Sequence, residues 1–315
     1  MKEDNSMYDV IIIGAGPAGL AAGIYAGRAR LSTLIIEMEQ DGGQIRETDR
    51  VENYPGQIPG GETGEELVAR MTRQCEEFGC ERVKDIVREV QFADTHKIIG
   101  DAGIYAAKTV IIATGASPKP TGVVGEDKFR GRGVSYCATC DANFFKDLDI
   151  YVVGGDSSAV GGALYLARFG RHVYLIHRGK DLVASETVIE RAMADEKISV
   201  IPNSVVTELG GDMMLTSVTV KDVDTGDTTT YEADAKDGVI GVFFVGTKPN
   251  TDLFAGTPLK IDDSGYIPTD EEMRTNIAGV YAAGDVRVKS LRQVVTATAD
   301  GAIAAVNAGK YVRGH

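Results

Sequence analysis

The sequence predicts an α/β fold of two domains, the second inserted in the first. Three observations carry that prediction. Residues 9–20 and 149–159 each run from a Val/Ile-rich or apolar stretch through a glycine-rich turn into a helical pattern, so one strand–turn–helix unit occurs twice. At 315 residues the chain is long enough for two domains of about 150 each. The last strand-like stretch, ending at Gly284 and Asp285, has no partner in the second unit and returns to complete the first. The expected limits are residues 1–117 with 247–315 for the outer domain and 118–246 for the inserted one.

In the first unit, continuous Val10, Ile11, Ile12 and Ile13 predict a strand covered on both faces, as in a parallel sheet. Gly14, Gly16 and Gly19 then allow a tight turn, close approach of a pyrophosphate to the backbone, and packing of helix on strand. The helix is expected to run on through residues 21–30, and residues 32–37 form the next strand. That strand ends in Glu37, about 20 residues beyond the glycines, where an acid can hold a ribose hydroxyl pair. A loose polar end is expected at residues 1–6, and loops at 42–44 and 51–56. Residues 65–79 read as an amphipathic helix, with Leu67, Val68, Met71, Cys75 and Phe78 at helical spacing. Cys75 is therefore expected in the core, and Cys80 carries no assigned role. Residues 87–92, 96–99 and 104–106 suggest a short antiparallel sheet, followed by a buried strand at 109–113 and a small-residue turn at Thr114 and Gly115.

The second unit opens with a strand at residues 149–153, a turn at Gly154-Gly155-Asp156, and a helix through Phe169. A strand from His172 follows, and residues 241–245 close the unit. From Leu291 onwards a helix of small residues is expected through Ala308.

Just ahead of the second unit lies Cys137-Ala138-Thr139-Cys140-Asp141. Two cysteines at this spacing form a reversible disulfide or half of a zinc site. Zinc would need two more ligands at suitable spacing. Cys75 and Cys80 stand far off in sequence and the four histidines are scattered, so redox chemistry is the expected use. Asp141 beside a thiol suits proton delivery to a departing thiolate.

The net charge of −13 argues against a nucleic-acid partner, because phosphate backbones attract Lys and Arg surfaces. No apolar run approaches the ~20 residues of a membrane span. No signal peptide is expected ahead of Asp9, and four cysteines with one close pair fit a reducing cytoplasm.

In combination, the glycines at 14, 16 and 19, the 51–56 loop, Ala113-Thr114-Gly115, the Cys137/Cys140 motif, Gly284-Asp285 and Arg292-Gln293 resemble the low-molecular-weight thioredoxin reductases over residues 9–311. The resemblance implies two Rossmann-like nucleotide-binding domains, bound FAD, a homodimer, and reduction of a thioredoxin-like protein. It places Gly14, Gly16, Pro17, Ala18 and Gly19 at the FAD pyrophosphate and Glu37 at the adenosine ribose. Gly43, Gln44, Asn53, Ala113, Thr114 and Gly115 fall near the flavin and phosphates. Gly284 and Asp285 fall at the ribityl or phosphate region, and Arg292, Gln293 and Val294 at the isoalloxazine. Cys140 matches the thiol that takes electrons from the flavin, Cys137 the one that attacks the partner's disulfide, and Asp141 the acid. Arg132 would help dock an acidic partner or simply be a solvated loop charge. Family members swing the inserted domain, with hinges expected here at 117–120 and 246–250.

The sequence departs from the family at its second nucleotide site. Where the NADPH pattern has its second glycine, this chain carries Asp156. A carboxylate there fills the phosphate's space and repels it, by about 1 kcal/mol at ~4 Å in water and ~4 kcal/mol at an effective dielectric of ~20. Of the arginines that clamp the 2′-phosphate, Arg178 is present, while Gly179 and Val183 stand at the others. Lys180 supplies one further point charge. NADPH use is thus doubtful. Relatives with eroded sites take electrons from a reduced deazaflavin coenzyme or from ferredoxin, and a non-NADPH donor is expected, with weak NADPH or NADH use as the alternative. An FAD-dependent dithiol oxidase on the same scaffold is the competing activity.

Overall fold

The computed structural model describes every residue except Met1, Asp49, Pro59, Pro120 and His315, with backbone alone at residues 2–6 and 47. The chain forms two compact units, Met1–Ser117 with Lys248–His315 and, between them, Pro118–Thr247. Both are α/β.

The first unit begins with β1 (Lys2–Ile13) and α1 (Pro17–Arg28), followed by β2 (Thr33–Glu37) and α2 (Gly64–Glu77). Thr63 and Glu66 start α2 with a reciprocal capping box, which satisfies two of its free N–H groups. At the other end Gly79 N–H reaches Glu76 O at 2.9 Å and Cys80 N–H reaches Cys75 O at 3.2 Å, the closing pattern of a Schellman motif. That turn buries both thiols, and Cys80 Sγ donates to Gly23 O at 2.9 Å. Burial and helical spacing thus place Cys75 in the core, as expected. Phe78, expected beside it, is instead exposed under the Arg28 guanidinium.

Four further strands follow: β3 (Glu81–Lys84), β4 (Val87–Gln91), β5 (His96–Gly100) and β6 (Gly103–Ile112), before the short β7 (Ala116–Pro118). Two expectations need correction here. Lys2–Ser6, read as a loose end, continues β1, with Lys2 opposite Gly103. Residues 104–106 and 109–113, read as separate strands, are one long β6. One edge pairs parallel with β1 along its length, while the other pairs antiparallel with β5 over its first half and parallel with β17 over its second. A single strand with two kinds of partner carries no break in its own sequence.

The second unit contains β8 (Val134–Ser135), α3 (Ala138–Asp141), β9 (Asp149–Val153), α4 (Ser157–Leu166), β10 (His172–Ile176), α5 (Glu186–Met193) and β11 (Ile198–Ile201). An antiparallel meander follows, β12 (Ser204–Gly210), β13 (Ser217–Asp222) and β14 (Thr228–Glu232), and then β15 (Gly241–Phe244). The parallel sheet runs β11-β10-β9-β15-β8. Side-chain alternation splits its core. Ile150, Val152, Leu175 and Phe243 pack with α4 on one face, while Tyr151, Ile176, Val242 and Phe244 pack with Val206, Val218 and Val220 of the meander on the other.

The chain returns through β16 (Thr247–Pro249) to β17 (Val280–Ala282) and α6 (Val294–Val312). β17 lies parallel to β6, completing a first-unit sheet of order β3-β2-β1-β6-β5-β4 with β17 also on β6. Ile12, Ile35 and Ile111 face α1 and α6, while Ile11, Ile13, Ile36 and Ile112 face Phe254, Leu259 and Ile267 on the opposite side. α1 and α6 touch at backbone level. A Cβ on Gly301 would lie 2.1 Å from Ala18 O, so no larger residue fits there. No described helix is long and apolar enough to cross a membrane. Of the stretches expected as hinges, Pro120 lies outside the described residues.

Candidate active site

In the first unit the expected cofactor residues converge at the carboxyl ends of β1, β6 and β17, the edge where open α/β sheets bind ligands. Gly19 is held against the β1–α1 turn: a Cβ there would lie 1.9 Å from Gly14 O. Gly16 is the N-cap of α1 and Pro17 its first residue, so the first N–H groups of the helix carry no side-chain cap. Gly42 N–H reaches Ala15 O at 2.8 Å and brings the following Gly43 beside Gly16. Gln44 donates its amide to Ala116 O. Glu37 is tied down by backbone: Ala15 N–H reaches one carboxylate oxygen at 2.7 Å, and Met38 N–H the other at 2.9 Å.

Ala113 closes β6 by donating to Ile13 O at 2.9 Å. Beyond it Thr114 and Gly115 lock onto Asn250. Thr114 Oγ1 donates to Asn250 O at 2.8 Å, Asn250 Nδ2 donates to Thr114 O at 2.8 Å, and Asn250 N–H reaches Gly115 O at 3.0 Å.

Gly284 and Asp285 sit directly after β17. Asp285 is half-buried, but its Oδ1 is shut off from solvent and has no hydrogen-bond partner among the described residues. Burial pushes its carboxyl above the ordinary range, with Lys289 and Arg292 pulling the other way. Arg292 spreads over the Tyr266 ring at 4.1 Å. Gln293 accepts from Asn53 Nδ2 at 2.9 Å, and Val294 opens α6.

One residue that organises this edge escaped the sequence reading. Asp300, buried on α6, accepts from Gly284 N–H at 3.1 Å, Arg287 Nη1 at 3.1 Å and Lys289 Nζ at 2.6 Å. Its signal was a lone acid in a run of Ala, Gly and Thr, where an unpaired charge would be costly to bury.

In the second unit Cys137 and Cys140 form a disulfide with Cα atoms 5.3 Å apart. Cys137 is the N-cap of the one-turn α3, whose N–H groups at Cys140 and Asp141 return to Cys137 O at 3.2 and 3.1 Å. Cys140 is exposed and Cys137 half-buried. Asp141 accepts from Ser135 Oγ at 2.6 Å. Arg132 is exposed on the loop just before.

The β9–α4 turn has an unusual occupant for a phosphate site. Asp156 is the N-cap of α4, its Oδ1 accepting Ala159 N–H at 2.9 Å. A carboxylate therefore stands where helix N–H groups would greet an anion. The following loop lies along this turn, with Val183 N–H on Gly155 O at 2.7 Å and the His177 ring against Asp181 O at 2.7 Å. Val183, Arg178 and Lys180 are exposed.

The family pattern described as pyridine nucleotide-disulphide oxidoreductase matches residues 8–301. The chain belongs to that family. It is an oxidoreductase. Among its relatives in the family it is 50% identical over 309 residues to thioredoxin reductase of Peptoclostridium litorale, covering 98% of each chain. Among solved structures, thioredoxin reductase of Streptococcus pyogenes superposes with a TM-score of 0.91 at 42% identity, over 99% of this chain and 100% of that one. The ferredoxin-flavin thioredoxin reductase of Clostridium acetobutylicum matches with a TM-score of 0.52 at 30% identity, over 98% and 99%.

Proposed function

We propose that this chain is an FAD-dependent thioredoxin reductase, active as a homodimer, whose electron donor is not NADPH. The Cys137–Cys140 disulfide, capped at one end by a helix start and flanked at the other by Asp141, is the observation that carries the reading. The first-unit edge suits FAD. The uncapped start of α1 offers N–H groups to a pyrophosphate, and the unpartnered Asp285 Oδ1 suits a donating ribityl hydroxyl better than a phosphate, which it would repel. Glu37, Gly43, Gln44, Asn53, Ala113, Thr114, Gly115, Arg292 and Gln293 would line the rest. FAD supplies the two-electron carrier between donor and disulfide.

The chain's own residues do the sulfur chemistry. A free thiol with pKa ~8.5 is mostly protonated at neutral pH, so it needs help to react. The start of α3 offers Cys137 that help, since helix N–H groups favour a thiolate. Asp141 would hold the proton for the departing sulfur. Asp156 at the start of α4, with Gly179 and Val183 in place of arginines, supports a donor other than NADPH, and reduced ferredoxin or a reduced deazaflavin are the candidates.

Anaerobic bleaching of the bound flavin tests this reading, with NADPH, NADH, reduced deazaflavin and reduced ferredoxin added in turn, followed by oxidised thioredoxin. Bleaching by ferredoxin or deazaflavin, then reoxidation by thioredoxin, is expected. Fast bleaching by NADPH overturns the donor assignment. Reoxidation by oxygen but not by thioredoxin marks a dithiol oxidase.

A further inference from the structure

The residue two positions before the redox pair is buried and bonded at both ends of the loop it introduces. Ser135 lies on β8, paired beside Phe243 of β15 at the edge of the second-unit sheet. Only 4% of it is exposed. Its hydroxyl donates to Asp141 Oδ2 at 2.6 Å and accepts Cys137 N–H at 3.1 Å. A serine hydroxyl has one proton to give. With that proton on the carboxylate, the lone pairs face the N–H, and one rotamer serves both bonds. The intervening α3 is a single turn, too short to hold its own shape by helix propagation. The strand therefore supplies the rigidity that the turn lacks.

We propose that Ser135 is a positioning residue for thiol–disulfide exchange, fixing the Asp141 carboxyl relative to the Cys137 backbone so that the acid meets the departing sulfur. The inference rests on the roles proposed above for Cys137 and Asp141. In the exchange, the Cys137 thiolate bonds to one sulfur of the partner's disulfide, that disulfide breaks, and its other sulfur leaves with the proton of the Asp141 carboxyl. Cys140 then returns its thiol proton to Asp141 and attacks Cys137 Sγ. The enzyme disulfide re-forms, and the second partner sulfur leaves with that proton. Two electrons and two protons pass to the partner. Ser135 keeps its own proton throughout.

The test uses the full-length holoprotein, chemically reduced so that no donor is involved, mixed with two oxidants. Oxidised thioredoxin has a basic leaving thiolate that needs a proton. An aryl disulfide such as dithiobis(nitrobenzoate) has an acidic one that does not. Ser135→Ala is expected to slow thioredoxin reduction about tenfold, within the range of general-acid contributions, and to change the aryl reaction less than about twofold. Ser135→Thr, which keeps the hydroxyl, should recover most of the loss. In an Asp141→Ala background, Ser135→Ala should cost nothing further, since coupled residues are not additive. Equal slowing of both oxidants, or an undiminished loss in the Asp141→Ala background, overturns the proposal by showing that Ser135 merely folds the loop. A wild-type chain that reduces the aryl disulfide but not thioredoxin instead overturns the proposed function, and the inference with it.

Discussion

Asn53 donates its side-chain N–H to the Gln293 side-chain oxygen at 2.9 Å, joining residues 240 apart in sequence. The 51–56 loop is thereby fastened to the start of α6, and Gln293 in turn donates to Arg292 O at 2.7 Å. Asn53→Ala removes the fastening and leaves both elements intact. Loss of one neutral hydrogen bond of about 1 kcal/mol predicts a roughly five- to tenfold weaker hold on FAD. Flavin fluorescence on serial dilution checks it, and unchanged affinity would mean the loop is held elsewhere.

Burial raises the Asp285 carboxyl above its ordinary pKa, so ionising it costs folding free energy. The cost is absent below the ordinary carboxylate pKa of ~3.9 and complete once pH has risen past the raised value. Asp285→Asn should therefore stabilise the flavin-free protein at pH 7 by about 1 kcal/mol, with the gain shrinking as pH falls towards 4. The same variant should hold FAD less well, because an amide accepts a hydroxyl's hydrogen bond more weakly than a carboxylate. Melting curves at several pH values decide the matter, and a flat profile would be the adverse result.

Cys140→Ser and Cys137→Ser are each expected to abolish reduction of thioredoxin while leaving flavin content at the wild-type level. Neither side chain belongs to the first unit, where the proposed cofactor residues lie. Sustained turnover in either variant, measured as insulin-coupled thioredoxin reduction, contradicts the assigned route.

Restoring the phosphate site calls for three changes at once, Asp156→Gly, Gly179→Arg and Val183→Arg. Removing the N-cap costs a few tenths of a kcal/mol with glycine in its place. Removing the repulsion and adding two guanidinium groups should raise NADPH-driven flavin bleaching by at least about tenfold. No gain would show that something other than these three side chains excludes the nucleotide.

The glycine turns and the Val/Ile strands were legible because each follows from local chemistry: a tight turn needs Gly14, and a doubly covered strand needs unbroken β-branched residues. The same locality limited the reading. β14, a run of three threonines before Tyr231, has no clean alternation because it is nearly all exposed, so it left no pattern to read. Asp300 looked like a stray charge until Gly284, Arg287 and Lys289 were brought to it by the fold. Ser135 carried no signal in the sequence, since nothing along the chain reveals that its hydroxyl reaches forward to Asp141.

A helix terminus that carries its own anion asks nothing of the surrounding medium. Ligands that bind only the folded state stabilise it in proportion to their supply, and a helix start waiting for phosphate is subject to that linkage. With the Asp156 carboxylate seated on Ala159 N–H, the second unit should escape it. Its thermal melting should stay level across any concentration of nicotinamide nucleotide, while that of the first unit follows flavin. The inserted unit would then persist unaltered through a famine of that nucleotide.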